Sequence, residues 1–212
     1  MKAVLFDLDG TLIDSADDIA LALRLTLEEL GMEEKMPPSV RSLIGGGVKA
    51  LLERVLGDDF REQHVKVFRR HYIGNPVVNT TPYPGVMETL RALRGRGINL
   101  VVVTNKLEEL SVEILKRLGM LEFFDLVVGG DTFPEKKPSP LPVLKSLEFV
   151  GVESSQALMV GDTSADIEAG KRAGVRTALA AWGYVKLNSV KPDYIFNSPA
   201  DILSLASQVS GA

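Results

Sequence analysis

Four short stretches concentrate groups that can do acid, base and anion chemistry. They are Asp7-Leu8-Asp9-Gly10-Thr11, Thr104-Asn105-Lys106, Lys136-Lys137-Pro138-Ser139-Pro140 and Gly161-Asp162-Thr163-Ser164-Ala165-Asp166. Carboxylates serve as nucleophiles or as proton donors and acceptors, while an ammonium and a hydroxyl can hold an anion by hydrogen bonds. Several carboxylates gathered beside an anion repel it and one another unless a cation joins them, and oxygen donors without sulfur favour a hard ion such as Mg2+. Taken singly, each stretch is weak. Asp-Gly is a common turn signal, and an acid near a helix start such as Asp166 is favoured by the helix dipole alone.

The elements around these stretches decide whether they meet. Continuous apolar runs that end abruptly in polar residues predict parallel strands buried on both faces, here over residues 3–6, 98–103, 126–128 and 157–160, and less strongly over 177–181 and 194–196, the last as an edge strand. Helix-period segments lie between them at 83–96, 107–118, 140–149 and 165–173, with Gly97, Gly119 and Gly174 where helix C-caps belong. The alternation predicts an α/β fold with a doubly wound, mainly parallel sheet. In such sheets ligands bind beyond the carboxyl ends of the strands, and each reactive stretch follows such an end, the third by way of a loop.

One connection is too long. Asp7 and Thr104 are 97 residues apart, whereas a strand, helix, strand unit needs about 30. The surplus carries helical spacing at 16–30, 48–56 and 60–72, with Ile19, Leu23, Leu27 and Leu30 on one face, and no convincing strand. We therefore expect a core domain of residues 1–14 and 82–212 and a small helical cap of residues 15–81, re-entering through Pro82-Tyr83-Pro84-Gly85.

The ordered set Asp7-x-Asp9-Gly10-Thr11, Thr104, Lys137-Pro138-x-Pro140 and Gly161-Asp162-x-x-x-Asp166 resembles the four signature motifs of the haloacid dehalogenase superfamily, with the spacing of its capped phosphatases. The bacterial phosphoglycolate phosphatases are the most similar branch. Asp14-Ser15, Ile44-Gly45-Gly46-Gly47 and Pro84-Gly85-Val86 carry that likeness. The resemblance implies a Mg2+-dependent phosphatase in which Asp7 attacks phosphorus and Asp9 protonates the leaving oxygen. It also implies metal ligation by the Asp7 side chain, the Asp9 backbone carbonyl and the Asp162 side chain. Lys137 and Thr104 would hold phosphoryl oxygens, and Asp166 would orient Lys137 or metal-bound water. Asn105 is a candidate contact that could equally turn the chain, and Lys106 and Lys136 are expected to be solvated charges. Gly45, Gly46, Gly47 and Arg41, with Lys49 beside them, are candidates for setting specificity. His64 and His71 lack a carboxylate cluster and are expected at the surface, and Trp182 with Tyr184 is expected to pack or form a contact surface.

Composition narrows the alternatives. With 28 acidic and 24 basic residues the net charge is −4, which offers nucleic acid no global attraction. No cysteine is present, so disulfide frameworks and thiolate metal sites are excluded. No apolar stretch approaches the ~20 residues of a membrane span. A cytoplasmic monomer or homodimer acting on a small phosphorylated metabolite is the expectation. Asp9 counts against dehalogenase and phosphonate-cleaving branches, which carry another residue there. A sugar-phosphate mutase or pyrophosphatase of the same superfamily stays open, as does a non-catalytic phospho-acceptor switch, although a switch needs no leaving-group acid.

Overall fold

A computed structural model of the chain describes residues 1–184 and 187–207; of the expected core stretch, 185–186 and 208–212 lie outside the described residues. In chain order the strands are β1 (Ala3–Phe6), β2 (Ile13–Asp14), β3 (Thr81–Pro82), β4 (Asn99–Val103), β5 (Leu126–Val128), β6 (Ala157–Gly161), β7 (Arg176–Ala180) and β8 (Tyr194–Phe196). The helices are α1 (Ala16–Leu30), α2 (Gly47–Leu56), α3 (Glu62–Gly74), α4 (Val86–Gly95), α5 (Glu108–Arg117), α6 (Leu141–Val150), α7 (Ser164–Arg172) and α8 (Asp201–Ser207).

Six strands form one parallel sheet in the order β5-β4-β1-β6-β7-β8. Side chains alternate across a strand, and the two faces feed two cores. Val4, Phe6, Leu100, Val102, Leu158 and Val160 join Leu90 and Leu93 of α4 and Ile114 and Leu115 of α5. Ala3, Leu5, Val101, Val103, Ala157 and Met159 join Val143 and Leu147 of α6 and Ala169 of α7. Both faces are covered, which is why the runs read as continuously apolar. β1 lies between β4 and β6, so the ends of these three neighbours open onto one crevice.

Between β2 and β3 lie α1, α2 and α3, at the three stretches where helical spacing is read, with short 3-10 turns between them. Ile19, Leu23 and Leu27 of α1 pack with Val65, Phe68 and Tyr72 of α3, and this cluster is continuous with the first sheet face. The two ends of the insertion are tied by a ribbon that the sequence reading lacked, with Ile13 opposite Pro82 and Asp14 opposite Thr81. A two-residue strand has no period to detect. Beside the ribbon, buried Asp18 accepts backbone hydrogen bonds from Val78 (2.9 Å) and Asn79 (2.9 Å) and, from Thr80, both a backbone (2.8 Å) and a hydroxyl bond (2.6 Å). Burial alone would raise its pKa, but the Thr80 hydroxyl and the three amides outweigh it and hold Asp18 below the usual range.

His64 departs from expectation. It is buried, and its Nδ1 accepts a hydrogen bond from the Arg61 backbone (3.2 Å) at the start of α3, with its ring edge-on to Phe60. His71 stays partly exposed, 2.9 Å from Glu29. No helix among the described residues is long and apolar enough to cross a membrane.

Candidate active site

The strand ends deliver their acids to one point. Asp7 follows β1, Asp162 follows β6, and Asp166 lies in the first turn of α7; carboxylate oxygens of all three lie within 4.8 Å of one another, and all three residues are buried. Lys137 arrives from the loop before α6, next to a cis bond to Pro138. Its ammonium is 3% exposed as a residue, lies 2.9 Å from Asp7 Oδ1 and 2.6 Å from Asp166 Oδ1, and donates to the Val103 carbonyl. Asp166 Oδ2 meanwhile accepts from the backbone N–H (2.9 Å) and hydroxyl (2.6 Å) of Thr163. Asp166 therefore caps its helix and fixes Lys137 with the same carboxylate.

Asp162 accepts from the Thr11 hydroxyl (3.2 Å) and the Tyr184 backbone (2.9 Å). Two glycines far apart in sequence make room for it. A Cβ on Gly10, whose φ is +85°, would stand 2.4 Å from Asp162 Oδ2, and one on Gly183 would stand 2.0 Å from Asp162 Cβ. The Tyr184 hydroxyl also accepts from the Ser15 backbone N–H (2.6 Å) and donates to Asp14 Oδ1 (2.9 Å) at the start of the insertion.

Burial pushes the Asp7 carboxyl up to about 6, the Asp166 charge adds to the rise and Lys137 opposes it. Burial and then the Asp7 and Asp166 charges raise Asp162 well above the carboxylate range. Burial works against the Lys137 ammonium, but Asp166 and Asp7 outweigh it and hold the lysine above its ordinary value. Three buried carboxylates thus face one ammonium. Surplus buried charge is costly, and an all-oxygen donor set of this kind could hold a hard cation.

Asp9 stands apart from this cluster. Its Oδ1 accepts from the Ser15 hydroxyl (2.5 Å), and Lys106 Nζ reaches both of its oxygens, at 3.0 and 2.7 Å. Lys106 also donates to the Tyr72 hydroxyl (3.0 Å), so the contact crosses from the sheet to α3 of the insertion. Burial disfavours the Lys106 ammonium, yet Asp9 and Tyr72 more than compensate and its pKa lies above the ordinary range. The expectation of a solvated Lys106 is therefore corrected: it is only 9% exposed, because its anionic partner lies on another strand end.

A cavity of about 170 Å³ opens over these groups. Asp7, Asp9, Thr104 and Lys106 form its floor, and Gly45, Gly47, Lys49, Phe68, Arg69 and Tyr72 of the insertion line it from above. The glycine segment docks by its backbone. Gly45 O accepts from Asn105 Nδ2 (3.2 Å) and Gly46 O from Lys136 Nζ (2.9 Å). A Cβ on Gly47, whose φ is +82°, would meet the Asn105 carbonyl at 2.9 Å.

Residues 4–180 match the model of a family described as haloacid dehalogenase-like hydrolase. The chain belongs to the haloacid dehalogenase-like hydrolase family. It is 64% identical over 205 residues to a protein of Aquifex aeolicus (strain VF5) named phosphoglycolate phosphatase, with 97% of this chain and 96% of that one covered. A protein of the same name from Chromobacterium violaceum is 37% identical, again over 97% of this chain and 96% of the relative. The crystal structure of a predicted phosphoglycolate phosphatase from Haemophilus somnus 129PT has a TM-score of 0.85 at 33% identity, covering 97% of this chain and 98% of that one.

In this haloacid dehalogenase-like hydrolase the motif residues Asp7, Asp9, Thr104, Lys137, Asp162 and Asp166 come together around one crevice. Asn105 bridges the two halves of the site, since its Nδ2 also donates to the Lys137 carbonyl (3.1 Å). Lys136 is exposed as expected but ties down Gly46. Gly46 and Arg41 do not line the cavity. Arg41 instead pairs with Asp14 (3.0 Å) and lies 4.9 Å above the Tyr184 ring, so it braces the junction of the insertion. Trp182 packs and also donates to the Thr11 carbonyl (3.0 Å). Ser15, Tyr72, Arg69 and Gly183 were missed. Of these only Ser15, within the Asp14-Ser15 pair, carried a signal in the sequence.

Proposed function

We propose that this chain is a Mg2+-dependent phosphatase of small phosphate monoesters, acting in the cytoplasm on 2-phosphoglycolate and releasing glycolate and phosphate. Residues 15–81 would serve as its cap, and 1–14 with 82–212 as its catalytic core. The observation that carries the reading is the placement of Asp7, held by Lys137, on the floor of a small cavity with a second carboxylate, Asp9, beside it on the same floor.

An oxygen of the Asp7 carboxylate attacks phosphorus, and the bond from phosphorus to the ester oxygen breaks. Asp9 gives its proton to the departing oxygen, so glycolate leaves as the alcohol. Water then attacks the aspartyl-phosphate, Asp9 takes a proton from that water, and Asp7 is freed with inorganic phosphate. Lys137 neutralises phosphoryl charge while keeping Asp7 oriented, and the Thr104 hydroxyl hydrogen-bonds a phosphoryl oxygen. The side chains of Asp7 and Asp162 and the Asp9 backbone carbonyl would hold Mg2+, which when bound withdraws charge from phosphoryl oxygens. Using only its backbone there leaves the Asp9 carboxyl free for proton transfer. Asp166 acts through Lys137 as a positioning residue.

Phosphate release is measured with Mg2+ on equal concentrations of 2-phosphoglycolate, pyrophosphate, a nucleoside monophosphate and sugar phosphates. We expect the highest kcat/KM for 2-phosphoglycolate, loss of turnover on chelation, and a fall of roughly 10⁴-fold or more in Asp7→Asn. Retained turnover in that variant ends the covalent mechanism. A phosphosugar isomerised faster than phosphate appears would make the chain a mutase, and a long-lived phospho-Asp7 without turnover would make it a switch.

A further inference from the structure

The cavity holds two cations that the phosphoryl chemistry does not use. Lys106 Nζ is buried between Asp9 and the Tyr72 hydroxyl. Arg69 lines the same space from α3, three residues before Tyr72 and so on the same helical face; its Nε is buried without a hydrogen-bond acceptor, and its guanidinium has no ion pair with any described residue. Every other cation lining the cavity is engaged, Lys49 with Glu62 and Lys136 with Gly46 O. A buried donor without an acceptor is costly, and it persists most readily where a ligand supplies the acceptor.

The geometry points to Lys106 and Arg69 as a receptor for a carboxylate on the leaving group, selecting phosphate esters whose alcohol bears a carboxylate on the carbon next to the ester oxygen. This rests on the phosphatase reading above. A group that protonates the ester oxygen sits within about 3 Å of it, and Lys106 Nζ is 2.7 Å from Asp9 Oδ2. The ammonium therefore stands two hydrogen bonds from the ester oxygen, within reach of a carboxylate on the adjacent carbon. When Asp9 carries the proton it gives to the ester oxygen, Lys106 no longer faces an anion there, and the substrate carboxylate replaces it. Arg69 supplies a planar fork that fits a carboxylate bidentately. Phe68 and Ile44 beside them exclude water and strengthen both pairs. A neutral leaving group leaves the Arg69 guanidinium without an anion.

The test compares kcat/KM for 2-phosphoglycolate with that for 2-hydroxyethyl phosphate, its neutral counterpart, in the intact Mg2+-loaded protein and in Arg69→Met, Arg69→Lys and Lys106→Met. The wild-type protein should prefer the carboxylate ester strongly, and the preference should fall about 100-fold in Arg69→Met, by less in Arg69→Lys, and at least as far in Lys106→Met. Most of the Arg69→Met loss should lie in KM, and thermal melts establish that each variant is folded. Equal losses on both esters would overturn the receptor, since they would place these residues in folding or in orienting Asp9. A wild-type protein that hydrolyses both esters alike would overturn the receptor and leave the phosphatase reading intact. Failure to release phosphate from any ester would instead remove the reading on which the receptor rests.

Discussion

The floor of the cavity and its roof are held in different ways. Beneath the floor, Lys137, Asp166 and Asp162 each have two or more partners at 2.6 to 3.2 Å, from the loop before α6, the first turn of α7 and the end of β6. On the roof, contacts to the floor run through backbone carbonyls of Gly45 and Gly46 and through the Tyr72 hydroxyl, while Arg69 has no ion-pair partner among the described residues. A crowded, over-determined floor suits chemistry common to many substrates, because reacting groups must be preorganised. A roof with sparse side-chain contacts can be altered without disturbing that chemistry, which suits the choice of leaving group.

Lys137→Met breaks the floor and should have the largest effect. It leaves Asp7 and Asp166 buried without their cation, which typically costs about 3–5 kcal/mol. Denaturant melts should show that loss, with phosphatase activity removed on every ester. Addition of Mg2+ should recover part of the stability, since a bound cation also neutralises the cluster, but not the activity. A variant as stable as the wild type would mean that the floor is not held as described.

Asp18 tests whether the two halves depend on a fastening outside the site. Asp18→Asn keeps the shape but removes charge-assisted bonds from residues 78–80, which should cost about 1–3 kcal/mol. The pH dependence has a definite sign. The folded pKa of Asp18 is depressed, while an unfolded aspartate titrates near about 3.9. Its contribution is therefore present above about pH 4 and is lost as pH falls through the lower folded value. The Tm difference between wild type and Asp18→Asn should shrink below about pH 4, and a difference constant with pH would assign the effect to packing.

The floor was far more legible in the sequence than the roof. Asp7, Thr104 and Asp162 each follow an apolar run, so topology alone brings them together, and the three inserted helices follow from the spacing of residues such as Ile19, Leu23 and Leu27. The roof, and the Lys106–Asp9 pair beneath it, depend on tertiary docking. Nothing local to Lys106 says that its partner is Asp9, and nothing in α3 separates Arg69 from the exposed Arg70 that pairs with Glu29. Arg41, beside the glycine segment in sequence, turns to Asp14 instead. Gly183 is needed only because Asp162 presses against it from a strand away.

The smallest effect should come from Gly47→Ala, which probes the docking of roof on floor without removing a charged group. A residue with a Cβ is disfavoured at φ +82°, and this Cβ would meet the Asn105 carbonyl at 2.9 Å. The strain should cost about 1–2 kcal/mol, relieved by a small retreat of the glycine segment from Asn105. Because Asn105 also holds the Lys137 carbonyl, a retreat absorbed by the roof alone predicts a raised KM with kcat nearly unchanged. If kcat falls with KM unchanged, the displacement has passed through Asn105 into the floor, and the two regions are mechanically one.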